Sequence, residues 1–189
     1  MRTQFAVLTG LVCAMCINGA TRQPVEPEGY EVDEAYQVYN VLLPDEESYK
    51  LAKSTLVIQQ DTVQSSRPFG SCLTREAEKK FKDAIADFAR LNRRRWILQR
   101  KFELAKPYEV VPQRTIRLSS KLRSSGFIVV FSAVGFNRTK TQAVVHTESS
   151  CPGLCGASAY HFLEKVDDKW KSVFGWRLHD GVVTVVTSR

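Results

Sequence analysis

The last third of the sequence, from Phe127 onward, most constrains the fold, because apolar runs alternate there with turn-forming residues. Five segments are rich in β-branched and aromatic residues and predict strands, at 127–136, 141–148, 157–166, 170–176 and 182–187. The stretches between them are short and contain typical turn residues at 137–140, 167–168 and 179–181. Short connections favour antiparallel pairing of consecutive strands, so this region predicts a β-meander.

Two helical patterns precede the meander. The first covers residues 33–43, where apolar side chains recur at helical spacing and Pro44 ends the pattern. The second begins at Thr74, a residue type that caps helix starts, and runs to the arginines at 93–95. Its apolar stripe consists of Ala77, Phe81, Ala84, Ile85, Phe88 and Leu91. We therefore predict an α+β fold in which two helices pack on a mostly antiparallel meander sheet of four to five strands.

The remaining segments have less regular patterns. Residues 55–60 are rich in β-branched side chains and predict a strand. We expect Trp96 and the two residues after it to continue the second helix, and residues 108–111 to form a strand that Pro112 ends. Residues 119–125 have the composition of a polar connector.

The first twenty residues have the layout of a secretory signal peptide. Arg2 precedes an apolar stretch at 5–17, which the small residues Gly19 and Ala20 follow. The stretch is shorter than the ~20 residues that a transmembrane helix needs, although an uncleaved anchor or a buried helix would share its composition. We predict an exported protein, periplasmic or secreted, with a signal peptide at 1–20, a flexible lead-in at 21–30 and a single domain at 21–189. No later segment is apolar enough to cross a membrane.

The cysteines of an exported protein meet an oxidising compartment, which favours disulfides. Cys151 and Cys155 enclose a Pro-Gly pair that suits a type II turn, so we predict a disulfide between them at the tip of a hairpin. Thiol-redox activity is the alternative, although redox pairs usually have two intervening residues and this pair has three. Cys72 remains open to pairing with either cysteine, to linking two chains, or to burial as a thiol.

His146 and His161 flank the cysteine loop, so a zinc site of two cysteines and two histidines must be considered. With Gly153 at the tip, His146 faces Tyr160 across the hairpin and His161 faces Val145, which places the two imidazoles on opposite faces of the sheet. A one-residue bulge would reverse this arrangement. We expect no metal site, no cofactor and no catalytic constellation.

Charge is distributed unevenly along a chain whose net charge is +7. Residues 93–123 contain ten Lys or Arg and two acids, whereas residues 26–47 contain eight acids and no base. The candidate anion-binding face consists of Arg93, Arg94, Arg95, Arg100 and Lys101. Its partner would be an anionic component of the cell envelope rather than nucleic acid. The alternative is that the acidic and basic segments lie close together and partly neutralise each other.

Several motifs occur together in a fixed order along most of the chain after residue 20. They are YQVYNVLL at 36–43, LVIQQDT at 56–62, FSAVGFN at 131–137, CPGLCG at 151–156, and FLEK at 162–165 followed by Trp170. In these motifs the chain resembles a family of exported bacterial proteins common in acidobacterial genomes, for which no activity is established. The resemblance implies a bacterial source and export, and it implies no activity.

The sequence therefore favours a non-enzymatic binding module of the cell envelope. This hypothesis depends on the predicted export, on a single compact domain and on the basic segment at 93–123. The alternative is an unrecognised hydrolase, or a thiol-redox enzyme that uses the Cys151–Cys155 hairpin. A pocket with converging ionisable groups would favour an enzyme, and a filled core with a basic or aromatic face would favour binding.

Overall fold

The described secondary structure belongs to residues 28–43, 56–64, 75–104, 107–150, 156–179 and 182–187 of this computed structural model. The helices are α1 (Asp33–Leu42), α2 (Arg75–Lys80), α3 (Lys82–Leu91), α4 (Gln113–Leu118) and α5 (Ser120–Ser125). The strands are β1 (Glu28–Tyr30), β2 (Leu56–Gln59), β3 (Trp96–Leu98), β4 (Tyr108–Val111), β5 (Phe127–Phe131), β6 (Gly135–Phe136), β7 (Gln142–Ser150), β8 (Gly156–Val166), β9 (Lys169–His179) and β10 (Val182–Thr187). The predicted signal peptide, most of the lead-in, and the three cysteines Cys72, Cys151 and Cys155 lie outside the described residues.

The main sheet is mixed, with strand order β10-β9-β8-β7-β5-β2-β4 and with β6 paired to β7 beside this path. From β5 to β10 neighbouring strands are antiparallel, as the meander predicts. Strand β2, however, pairs in parallel with both β4 and β5. The prediction of an α+β fold is confirmed. The prediction of two helices on four to five mostly antiparallel strands is wrong, because β2 joins the sheet through partners that are distant in sequence.

Helix α1 covers one face of the sheet. Its residues Ala35, Val38 and Tyr39 are buried at helical spacing, in a core shared with sheet residues such as Phe131 and Leu163. The Tyr39 ring lies 4.5 Å from the Phe131 ring, and its hydroxyl donates a 2.8 Å hydrogen bond to the Ser132 carbonyl. The predicted helix at 33–43 is therefore confirmed, and its apolar stripe faces the sheet.

Two pairs of helices cover the opposite face of the sheet. Helices α2 and α3 bury Phe81 and Phe88 against Val144 and Phe162 of strands β7 and β8. Helices α4 and α5 bury side chains beside β2 and β5, in a cluster formed by Val57, Val111, Ile116 and Ile128 with Leu122 partly buried against it. The sheet thus lies between two helical layers, which is why its central strands read as nearly continuous apolar runs.

The second predicted helix ends before Trp96. Asn92 terminates it, because its buried side-chain amide donates to the carbonyls of Phe88 (2.9 Å) and Ala133 (3.0 Å). The same side chain accepts a 2.8 Å hydrogen bond from the Ala133 amide. Trp96 therefore begins β3, which pairs in parallel with β1, and the prediction of a continuing helix is wrong.

The segment predicted as one strand at 127–136 is interrupted between β5 and β6. Side chains satisfy the backbone groups there: the Tyr30 hydroxyl bonds both the amide and the carbonyl of Val134, and Ser132 Oγ accepts from the His146 amide. At Gly135 the backbone crosses α3 so closely that a Cβ atom would lie 2.2 Å from the Phe88 nitrogen. These contacts depend on residues distant in sequence, which explains why the local pattern did not predict the break.

Residues 119–125 form helix α5 rather than a polar connector. The Ser119 hydroxyl accepts a 3.2 Å hydrogen bond from the Leu122 amide, which is an N-terminal cap. Leu122 packs partly buried beside Ile116 on the sheet. The prediction failed because a short helix with one apolar anchor lacks a recognisable periodicity.

Candidate anion-binding face

Arg94 and Lys101, two members of the predicted anion-binding face, pair with carboxylates of the acidic segment. Arg94 lies 2.9 Å from Glu28 and stacks 3.9 Å from the centre of the Trp96 ring. Lys101 lies 2.8 Å from Asp33, and this hydrogen bond raises the pKa of Lys101. The pairing of β1 with β3 brings these oppositely charged segments together. Both cations are therefore partly neutralised, as the alternative to an anion-binding face predicts.

The other three predicted cations have different surroundings. Arg95 donates a 2.9 Å hydrogen bond from Nη1 to the Gln113 side chain at the start of α4. The Arg100 guanidinium lies 5.5 Å from the centre of the Tyr108 ring. Arg93 is exposed just beyond the C-terminus of α3, where positive charge is favoured by the helix dipole. The five predicted residues thus have different partners, and only Arg94 and Lys101 form ion pairs with the acidic segment among the described residues.

Helices α4 and α5 carry three exposed cations and an exposed leucine close together in sequence. We define the basic face as Arg95, Arg114, Arg117, Leu118 and Lys121, all of which are exposed. Leu118 is 76% exposed, the largest exposure among the described large apolar side chains that protrude. The hydrogen bond between Arg95 and Gln113 joins the arginines after α3 to this helical pair.

The local packing explains why the basic face points outward. The Gln113 amide donates a 2.7 Å hydrogen bond to Asp61 Oδ2, which fixes the start of α4 beside β2. Ile116 and Leu122 pack on the sheet, whereas Arg114, Arg117, Leu118 and Lys121 are exposed. The excess of bases at 93–123 indicated this segment, but selecting its exposed members required the two helices that the sequence did not predict.

The two histidines lie on opposite faces of the sheet. His146 is paired with Tyr160 and His161 with Val145, which confirms the predicted register of the hairpin. His146 Nε2 lies 2.8 Å from Ser158 Oγ, whereas His161 Nε2 lies 2.9 Å from Thr147 Oγ1. Within the residues that the structure describes, no three histidine, cysteine, aspartate or glutamate side chains converge as metal ligands would.

The distance between His146 and Ser158 is that of a catalytic dyad. The pKa and the hydrogen bonding of His146, however, differ from those of a catalytic base. His146 is 6% exposed, and burial lowers its pKa from 6.5 to about 4. Its Nδ1 atom is buried without a hydrogen-bond partner, where an activated histidine has an orienting acceptor. A proton on Nε2 donated to Ser158 leaves only a lone pair unsatisfied at Nδ1, which costs less than a buried N–H. This geometry favours a structural hydrogen bond over an activated serine.

Comparisons with protein-family models, with curated proteins and with solved structures give no match for this chain. None of the helices in the described residues combines the length and apolar character needed to cross a bilayer. The basic face, and the sheet geometry that positions it, are therefore the observations that bear on function.

Proposed function

We propose that the protein is an exported, non-enzymatic binding module that docks reversibly on an anionic lipid surface through the basic face. The observation that carries the proposal is Leu118, which is 76% exposed among Arg114, Arg117 and Lys121. Cations beside a protruding apolar side chain suit a membrane interface, where headgroups attract the charges and the acyl boundary accepts the leucine. A polysaccharide or nucleic acid would use the charges but would leave the leucine in water.

The expected strength of this docking follows from the number of charges. Each Lys or Arg near an anionic membrane contributes about 1 kcal/mol, so the four cations of the basic face contribute about 4 kcal/mol. Burial of the Leu118 side chain adds at most about 1.5–3 kcal/mol. The sum corresponds to reversible association that weakens steeply with salt.

Export supports this proposal because it determines which surfaces the protein meets. The signal layout at 1–20 and the resemblance to exported bacterial proteins both direct the chain to the cell envelope, where membranes present anionic headgroups. Glu28 and Asp33 of the acidic segment pair with Arg94 and Lys101, whereas Arg114, Arg117 and Lys121 are exposed on α4 and α5.

Vesicle co-sedimentation tests the proposal. We expect the protein to bind vesicles of equal parts phosphatidylglycerol and phosphatidylcholine, and not vesicles of phosphatidylcholine alone. Binding should fall at least tenfold between about 0.01 M and 0.15 M salt, as the Debye length decreases from about 30 Å to about 8 Å. Equal binding to both vesicle types, or no binding at low salt, would refute the proposal.

Matched variants locate the surface. Arg114→Gln with Lys121→Gln should weaken vesicle binding about 30-fold, since two charges worth about 1 kcal/mol each are lost. Leu118→Ser should weaken it separately, with unchanged salt dependence. Lys79→Gln with Lys82→Gln, which removes the same charge from exposed positions on α2 and α3, should have a smaller effect. Retention on heparin without any effect of Leu118→Ser would indicate a polyanion instead of a membrane.

A further inference from the structure

An open cleft of about 600 Å³ lies between α3 and the segment 134–140. Val32, Leu91, Val134 and Phe136 contribute apolar lining. Asp83, Arg138 and Lys140 supply charged side chains. The volume falls within the roughly 300–1,000 Å³ typical of small-molecule sites, and the combination of apolar lining with few polar groups is also typical.

Some polar groups in the cleft already have structural partners. Asp87 accepts a 3.0 Å hydrogen bond at Oδ2 from the Phe136 amide, and its Oδ1 accepts from Arg90 at 2.6 Å and 3.1 Å. The Tyr30 hydroxyl is committed to both backbone groups of Val134. These contacts hold the walls of the cleft and compensate the charges of Asp87 and Arg90.

Two cations remain available to a ligand. Arg138 and Lys140 are exposed, and neither forms an ion pair with any residue that the structure describes. Asp83 is the single acid of the lining that likewise has no ion pair within the described ranges. The uncompensated charge of the lining is therefore positive, which favours an anion.

The turn that carries these cations is held by its own hydrogen bonds. Asn137 Oδ1 accepts from the amides of Thr141 (2.9 Å) and Gln142 (3.1 Å). Lys140 adopts a left-handed backbone conformation with φ of 53°, and its amide donates to the Asn137 carbonyl. These hydrogen bonds fix the backbone that carries the two cations before a ligand arrives, so binding need not order the turn itself.

We infer that this cleft binds a small amphipathic anion, a carboxylate or phosphate monoester with an apolar body. The apolar body would contact Leu91 and Phe136, and the anionic group would pair with Arg138 and Lys140. A wholly apolar ligand would leave the two cations unused, and a bare inorganic anion would leave the apolar lining in water. This site is separate from the lipid-docking surface and does not depend on it.

Calorimetric titration with four probes tests the inference. Octanoate and octyl phosphate combine both required features, whereas octanol lacks the charge and acetate lacks the apolar body. We expect saturable binding of one or both amphipathic anions, at least tenfold tighter than octanol or acetate. Comparison of octanoate with octyl phosphate identifies the preferred anionic group. Equal affinity for octanol and octanoate, or no saturable binding of either anion, would overturn the inference.

Variants connect binding to the cleft. Arg138→Gln with Lys140→Asn should weaken octanoate binding at least tenfold and leave octanol binding unchanged; asparagine tolerates the left-handed conformation at position 140. Ala86→Phe, a substitution on the α3 wall of the cleft, should weaken the binding of all four probes because the larger side chain fills the cleft. Arg114→Gln with Lys121→Gln is the matched control and should retain octanoate binding while losing vesicle binding. Octanoate binding that survives the Arg138 and Lys140 changes would overturn the inference without affecting the proposed function.

Discussion

His146 is a buried imidazole whose protonation opposes folding. Burial lowers its pKa from 6.5 to about 4, so between these values the unfolded chain binds a proton that the folded chain does not. Stability should therefore fall as the pH decreases through this window, by about 1.4 kcal/mol per pH unit and by about 3 kcal/mol in all. Glu148 lies on the same face of β7, and burial raises its pKa, which favours the folded state at low pH and opposes this loss.

Two histidine variants test how much of the pH dependence of stability comes from His146. His146→Gln should remove most of the loss in urea-denaturation free energy between pH 7 and pH 4.5, while the opposing effect of Glu148 remains. His161→Gln, on the other face of the hairpin, is the matched control for removing a histidine. An unchanged pH dependence in the His146 variant would contradict the assignment of its pKa.

At the residue scale, features that depend only on neighbouring residues could be predicted from the sequence. The pairing of His146 with Tyr160 followed from one turn position and the two-residue period of strands, and the structure has that register. The hydrogen bond between His146 and Ser158 could not be inferred, because it depends on a diagonal contact across the hairpin. The unpartnered Nδ1 depends on how neighbouring elements cover the ring, which no sequence pattern describes.

The crossing of β6 over α3 provides a test at the scale of elements. A Cβ atom at Gly135 would lie 2.2 Å from the Phe88 nitrogen and 2.4 Å from the Ala84 carbonyl oxygen, so Gly135→Ala must push the helix away from the sheet. We expect a loss of about 3 kcal/mol in the free energy of unfolding, at the upper end of overpacking effects. Gly156→Ala is the matched control, since its nearest atom is 3.6 Å away, and it should change stability by less than about 1 kcal/mol.

The measurement is urea denaturation of both variants under the same conditions. If both variants lost the same free energy of unfolding, the loss in Gly135→Ala would come from the unfolded chain and not from the contact with the helix. The clash is with backbone atoms, so side-chain rearrangement alone cannot relieve it. A weakened octanoate affinity in Gly135→Ala would be a further consequence, because α3 and the segment after Gly135 both line the cleft.

The bounds of helices and strands were predicted closely where apolar residues recur at regular spacing. Elements without such a pattern were missed. Helix α1 and strands β7 and β8 lie within two residues of their predicted bounds, since each has a recognisable local pattern of apolar residues. Strand β3 and helix α5 were missed because each is short and depends on a distant partner. The parallel pairing of β2 with β4 and β5 was missed for the same reason: its contacts span long stretches of chain.

At the scale of the molecule, the pairing of charges depends on contacts between segments that are distant in sequence. The excess of bases at 93–123 indicated a basic segment, yet it could not show which of its cations pair with the acidic segment. Arg94 is compensated because β1 and β3 associate across a long separation in sequence, and that association places Glu28 beside it. Arg114, Arg117 and Lys121 lie on helices that pack on the opposite face of the sheet from α1.

Glu34 links the layer formed by α1 to the hairpin formed by β8 and β9. Its Oε1 accepts hydrogen bonds of 2.8 Å from both Lys165 Nζ and Trp170 Nε1. Burial tends to raise the pKa of Glu34, but these two bonds and the positive charge of Lys165 hold it below the usual value. The carboxylate therefore stabilises the folded state above its unfolded pKa of 4.5, and this contribution is lost as the pH falls through the lower folded value.

We expect Glu34→Gln to reduce the free energy of unfolding at pH 7 by about 1–3 kcal/mol, because it leaves the Lys165 ammonium partly buried without its charge partner. The difference from the parent protein should shrink as the pH falls below about 4.5, where the unfolded carboxyl is protonated in the parent. Glu164→Gln makes the same change in the more exposed pair with Lys80 and should cost less than about 1 kcal/mol. The measurement is urea denaturation of both variants across this pH range. If the two substitutions reduced the free energy of unfolding equally, Glu34 would act as an ordinary surface charge and would not hold α1 to the hairpin.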